Sequence, residues 1–339
     1  MPSSPPARRR DSRSLLLRAW WARRPPAAGA AVMATGIVSV GLHLTGYETL
    51  SRISLVLAAA AWVALAADFV ARLLRERERW MEEARSPAAL TAVAATCVLG
   101  TRLSLLGRQT LAEALLATAA LLWPLLMTLV SRHRRRRMPG AVFLVCVATQ
   151  GLAVLAATLA GALAVDWMAR AAMVLFWLGL LFYVLALLSF DVRQVLTGAG
   201  DHWVAGGALA ISALAGARLL LAQGPELYLW NSDNADALRR VTVVLLVLDL
   251  SVYVVLAVAE VLRPRLSYDV RRWSTVFPMG MTAAATLAVG TELDQAWLRV
   301  LGQVLLWIAV AAWLVVGAGA VRTAWAATRP GRVAPPASG

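Results

Sequence analysis

The sequence predicts an all-α integral membrane protein: ten transmembrane helices arranged as five helical hairpins, the odd helices forming an inner pore ring and the even helices an outer ring. Three observations lead there. Hydrophobic residues make up 60% of the 339 and the mean hydropathy is +0.68, well above an ordinary soluble domain. Ten apolar segments of span length follow one another between arginine-bearing or turn-rich breaks. Small and bulky residues alternate from one segment to the next.

A helix needs about twenty mainly apolar residues to cross roughly 30 Å of hydrocarbon. Such segments run over 27–46, 52–72, 88–107, 110–130, 139–161, 169–190, 203–223, 241–262, 273–291 and 298–321. They divide the chain into a basic cytoplasmic tail (1–26), a ten-helix channel or transporter domain (27–321) and a cytoplasmic C-terminal tail (322–339). All 33 basic residues are arginine, and placing both termini inside puts 25 of them in the inner segments. That asymmetry orients a multi-pass protein of the cell membrane and supports an even number of spans. It also accounts for the net charge of +14 without nucleic acid, which is excluded as a partner. The N-terminal "PPARRRDSRSLLLRAWWARRPP" is basic like a signal-peptide start, but a span-length run and nine more follow it, so it reads as uncleaved. Two readings stand for Leu15 to Leu17 with Trp20 and Trp21: a short interfacial helix, or a disordered basic tail.

Taken in order, the spans alternate in residue size. Span 1 carries Thr35, Gly36, Ser39 and Gly41, and span 2 answers with Trp62 and Phe69. Span 3 has Thr96, Gly100 and Thr101; span 4 has Trp123. Span 5 brings Thr149, Gln150 and Gly151, and span 6 brings Phe176, Trp177, Phe182, Tyr183 and Phe190. Span 7 holds Gly206, Gly207 and Ser212, with Tyr253 on span 8. Span 9 has Gly280, Thr282 and Thr286, with Trp307 and Trp313 on span 10. Small residues let helices approach closely or leave a lumen, whereas bulky faces suit lipid. A lumen lined by Thr35, Gly36, Thr96, Gly100, Thr149, Gly207, Ser212, Gly280 and Thr282 is one reading; plain helix packing is the other.

The segments "VMATGIVSVGLHL", "AATCVLGTRLSLLG", "VATQGLAVLAATLA", "GALAISALAGARLL" and "YDVRRWSTVFPMGM" resemble the tellurite-resistance/dicarboxylate transporter (TDT) family, which shares its fold with the plant slow-type anion channels. The resemblance covers about residues 25 to 325. It implies five hairpins around a central pore, a homotrimer with one pore per subunit, and a phenylalanine on the ninth helix that plugs the pore. By its place in the motif that residue is Phe277. A bulky apolar ring in a narrow lumen blocks it sterically and disfavours water around an ion. Pro278 removes a backbone donor and bends the helix. The family pattern has prolines in several inner helices, whereas here only the interior of span 9 has one. The alternative makes Phe277 an ordinary core or lipid-facing ring.

A charge near mid-membrane costs about 2.5–3.5 kcal/mol on insertion scales. Arg218 and Asp249 therefore need partners, and counting from span ends places them within about 5 Å in depth, which predicts an ion pair. The pair serves either as a structural clasp or as an anion attractor beside a proton-coupling carboxylate. Arg102 forms a positive outer vestibule or snorkels to the interface. Asp68 with Arg72 and Glu260 with Arg263 suit local pairing at the inner rim. Cys97 and Cys146 lack metal-ligand spacing and the chain has three histidines, so no metal or cofactor is expected. No ATPase loop, Ser/His/Asp constellation or soluble catalytic domain is present, so the chain reads as no enzyme. The expected function is an anion channel or channel-like transporter for small inorganic or organic anions. The alternatives are a proton-coupled dicarboxylate carrier or a tellurite- or sulfite-type oxyanion exporter.

Overall fold

The computed structural model describes residues 28–132, 137–223, 232–264 and 268–327. The tail read as 1–26 lies outside the described residues, as does 328–339 of the tail read as 322–339, whose first six residues instead continue the last long helix. Ten long helices carry the chain: α1 (Gly29–Leu44), α2 (Glu48–Arg75), α3 (Thr91–Leu105), α4 (Gln109–Ser131), α5 (Leu144–Leu163), α6 (Asp166–Ser189), α7 (Val204–Ala222), α8 (Ser232–Leu262), α9 (Trp273–Glu292) and α10 (Ala296–Ala327). Short helices at Arg77–Ala84 and Gln194–Thr197 join them. Among the described residues no strand forms, and eight helices are long and apolar enough to cross a membrane.

The turn from each odd helix into the next even one is tight wherever it is described. Gly46, Gly107, Ala164 and Asp294 sit in four of these turns with φ of 83°, 78°, 54° and 52°. A Cβ at Gly46 or Gly107 would meet nothing within 4 Å, so the left-handed backbone, not space, is what selects glycine there. At the other end of the bundle, α3, α5, α7 and α9 are each entered through a 3-10 turn, at Pro87–Leu90, Gly140–Phe143, Asp201–Trp203 and Val270–Arg272. The last is capped by Asp269, whose carboxylate accepts from the Arg271 backbone N–H at 2.8 Å. The Arg271 side chain is the main cause that holds this carboxyl below the usual carboxylate range.

Burial sorts the helices into two sets. In α3, α5 and α7 between 78% and 94% of the apolar window is buried, against 11% to 33% in α2, α4, α6, α8 and α10. α1 and α9 are buried almost throughout. The five odd helices pack in a closed cycle, α1 on α3, α3 on α5, α5 on α7, α7 on α9, and α9 back on α1. Each even helix packs on the odd helix before it and also on the odd helix after it, α10 closing onto α1. The outward faces present Leu121, Leu188, Val261 and Val315, each at least 72% exposed, a surface that only lipid or another apolar partner suits.

One boundary differs from expectation with consequences. α8 starts at Ser232 rather than near 241, because its first two turns are polar, "SDNADALRR", and carry no hydropathy signal. Of the two pairs expected at the arginine-bearing helix ends, Asp68 with Arg72 forms, whereas Glu260 takes Arg272 in place of Arg263 because the chain entering α9 brings that arginine beside it. Arg72 Nε lies 2.9 Å from Asp68 and its Nη1 2.8 Å from Glu83, and Glu260 takes Arg272 at 2.7 Å.

Candidate functional site

Every odd helix contributes to one small cavity of about 10 Å³ in the middle of the cycle. Its walls are Ile37 and Val40 from α1, Cys97, Val98 and Thr101 from α3, Gly151 and Val154 from α5, Ile211 and Leu214 from α7, and Met281 from α9. The pairs Ile37/Val40, Val98/Thr101, Gly151/Val154 and Ile211/Leu214 repeat one i, i+3 face in four helices. A space of that size holds about one water, and its walls are nearly all apolar, so it is a dry constriction.

Two residues before the first wall position, the helix has turned by about 200° and faces the outer helices. There α1, α3 and α5 carry Thr35, Thr96 and Thr149. Each accepts a 2.9 Å hydrogen bond from an indole Nε1–H: Trp313 of α10 to Thr35, Trp62 of α2 to Thr96, and Trp123 of α4 to Thr149. In each case the tryptophan belongs to the even helix preceding that odd helix around the cycle. On α9, Thr282 makes the corresponding contact differently, donating to Asp249 Oδ1 of α8 at 3.1 Å. α7 has Leu209 at this level and no such bond among the described residues.

None of the residues expected to line a lumen borders the cavity, and the threonines and glycines among them are instead used between helices. Thr35, Thr96, Thr149 and Thr282 bind the outer helices as described. A Cβ on Gly36 would stand 2.8 Å from Val98, on Gly100 2.7 Å from Leu155, on Gly207 2.9 Å from Pro278 and on Gly280 2.9 Å from Ile37. These glycines set how closely neighbouring odd helices approach. Ser212 donates to the Ala208 carbonyl at 2.7 Å. The hydroxyls are satisfied locally as well: Thr35, Thr96 and Thr149 also donate to Ala31, Ala92 and Val145 one turn back. Replacing Trp62 by Phe is therefore expected to cost only about 1 kcal/mol, whereas Thr96→Val leaves a half-buried indole N–H without its acceptor and costs about 1–3 kcal/mol. Thermal unfolding of the two variants in detergent checks the order.

Phe277 is 1% exposed and lies one turn before Met281, hence on the same face of α9 as the cavity wall. Pro278 leaves the Ser274 carbonyl without its helical donor and fits its ring against Gly207.

The three intramembrane charges fall elsewhere than their spacing suggested. Arg218 and Asp249 do not pair. A Cβ on Gly206 would lie 3.8 Å from Asp249 Oδ1, and one on Gly216 would abut the Thr242 hydroxyl, which fixes the α7–α8 register. Arg218 is twelve residues beyond Gly206, about 18 Å further along α7. The early start of α8 is the cause: Asp249 sits deep in the helix instead of near its outer end. Asp249 is fully buried, its Oδ2 has no partner, and Arg218 Nε and Nη2 are likewise buried without one. Arg102 neither opens into a vestibule nor snorkels. It is fully buried, with Nε on Ser51 Oγ at 2.9 Å and Nη2 on Glu48 at 3.0 Å. Glu48, at the first position of α2, also takes His43 at 2.8 Å and Arg52 at 2.9 Å. Sequence reasoning missed it because an acid preceding the apolar run reads as loop. No group of three or more potential metal ligands occurs among the described residues.

Long apolar helices with outward-facing leucine and valine, wrapped on buried ones, define a multi-pass membrane protein. Residues 23–321 match the SLAC1 family of voltage-dependent anion channels, and the chain belongs to that family. The relationship read from its motifs is thereby met. A comparison with curated proteins finds no match.

Proposed function

We propose that the chain is an anion channel or channel-like transporter that crosses the cell membrane ten times and passes small monovalent or organic acid anions through the axis of α1, α3, α5, α7 and α9. The observation that carries this is the central cavity, to which all five buried helices contribute, four of them through the same i, i+3 face. Phe277 and the wall residues hold this path shut, as a hydrophobic constriction does by excluding water. Among the described residues no charged side chain borders the cavity, so selectivity rests on weak polar contacts and the positive field of the arginines rather than on tight binding. The chain acts without catalysis, and as a homotrimer each subunit would have its own path. Purified protein in a bilayer, with asymmetric chloride or nitrate, is expected to give currents reversing near the anion potential; reversal near the cation potential refutes the proposal.

One observation favours a second reading, a proton-coupled carrier for dicarboxylates or oxyanions. Asp249 is a buried carboxyl with no cation beside it among the described residues, bonded to the helix that carries Phe277. Asp249→Asn keeps the acceptor for Thr282 and removes the proton site. Unchanged anion current in that variant supports the channel; loss of pH-driven uptake in vesicles, with the fold intact, supports the carrier.

A further inference from the structure

A second and larger cavity opens on the outer surface, a cleft of about 350 Å³ between α4 and α6 over the start of α5. Trp123, Pro124 and Met127 form one wall, Phe182 and Leu185 the other, and Val142 and Val145 the floor. Pro124 interrupts the hydrogen-bond ladder of α4 at this level. The end of the cleft is pinned, because Met138 donates its backbone N–H to the Ser189 carbonyl at 2.8 Å and accepts from Asp191 at 3.1 Å.

The rim of this apolar cleft is cationic. Arg132 directly follows Ser131, Arg137 directly precedes Met138, and Arg85 stands two residues before Pro87, each of those neighbours being a wall residue. All three arginines are exposed, and none is ion-paired among the described residues. They come from two places in the chain, Arg85 from the approach to α3 and Arg132 with Arg137 from the α4–α5 connection. Of the acids close by, Glu83 is held by Arg72, Asp191 accepts from the Arg193 backbone N–H, and Glu82 is exposed. An apolar slot at membrane depth with unpaired guanidinium groups at its mouth matches a molecule with a hydrocarbon tail and an anionic head.

We infer that this cleft binds an anionic phospholipid of the leaflet at the arginine-rich end, an acyl chain lying between α4 and α6 and the phosphate at Arg85, Arg132 and Arg137. A second copy of the chain is disfavoured as occupant, since it would add its own apolar wall without supplying negative charge for the three arginines.

Native mass spectrometry of the full chain with added phosphatidylglycerol or phosphatidylcholine tests this. Wild type is expected to retain phosphatidylglycerol over phosphatidylcholine by on the order of fivefold. The surface variant Arg85→Gln/Arg132→Gln/Arg137→Gln should bring the ratio to about one. Leu185→Trp, which fills the slot, should lower retention of both lipids while the protein elutes at an unchanged size. Equal retention of the two lipids by wild type, or an unchanged preference in the triple arginine variant, overturns the inference. A change of oligomeric mass in Leu185→Trp without loss of lipid overturns it too and assigns the cleft to a second copy.

Discussion

Phe277→Ala is expected to raise anion current through a reconstituted bilayer on the order of tenfold over wild type. The ring is among the largest fully buried side chains of the protein, and truncation removes it from the face of α9 that continues into the cavity wall. Structure adds a condition to the expectation. The cavity beyond Phe277 has room for about one water, and Ile37, Val98, Ile211 and Met281 stay in place when the ring is gone. Phe277→Ala with Ile211→Ala should therefore conduct more than the product of the two single effects, because two constrictions in series each limit flow. Cys97 provides an internal readout, since it lies on the cavity wall whereas Cys146 does not. A small thiol reagent should modify Cys97 faster in the Phe277→Ala background, with Cys146→Ser removing the other thiol. Equal conductance and equal labelling in all variants would return Phe277 to ordinary packing.

The second large effect concerns stability. Glu48→Ala removes the carboxylate that neutralises a guanidinium with no solvent exposure at all. Stranding a buried charge is strongly destabilising, and the 34% exposure of Glu48 leaves water only a partial route to the orphaned guanidinium. For a chain of this size the apparent melting temperature in detergent should fall by on the order of a few °C. Adding Arg102→Met should restore most of it, because an apolar side chain of similar length fills the same space without charge. Arg52→Gln, which loses only an exposed partner of the same carboxylate, should stay within about 0.5 kcal/mol of wild type. A Glu48→Ala protein as stable as Arg52→Gln would show that water reaches Arg102.

The division into buried and outward-facing helices was legible from residue type, since Trp62, Trp123 and Trp313 mark even helices and Thr35, Thr96 and Thr149 mark odd ones. What could not be read was which way the small hydroxylated residues point. A threonine inside a membrane helix satisfies its own proton one turn back, as Thr149 does at Val145, and keeps lone pairs for a partner. Polar therefore did not mean lumen-facing: the tryptophan N–H groups needed acceptors more than the axis needed polarity. Register between helices was also hidden. The depth of Asp249 depended on where α8 begins, and its polar first turns do not register as a span. Arg102 was recognised as a charge in need of company, but its partner is 54 residues earlier in the chain.

The bond from Trp313 to Thr35 joins residues 278 apart in sequence. The joint at which α9 packs back on α1 is thus covered by α10, which is bonded directly to α1. During synthesis α1 and α9 each have one flank without its eventual neighbour until α10 has entered the bilayer, and a nascent chain stalled before that point presents two unsealed edges to lipid. The order of assembly is imposed at α10: the joint where α9 packs back on α1 stays uncovered on its outer side until that helix has docked.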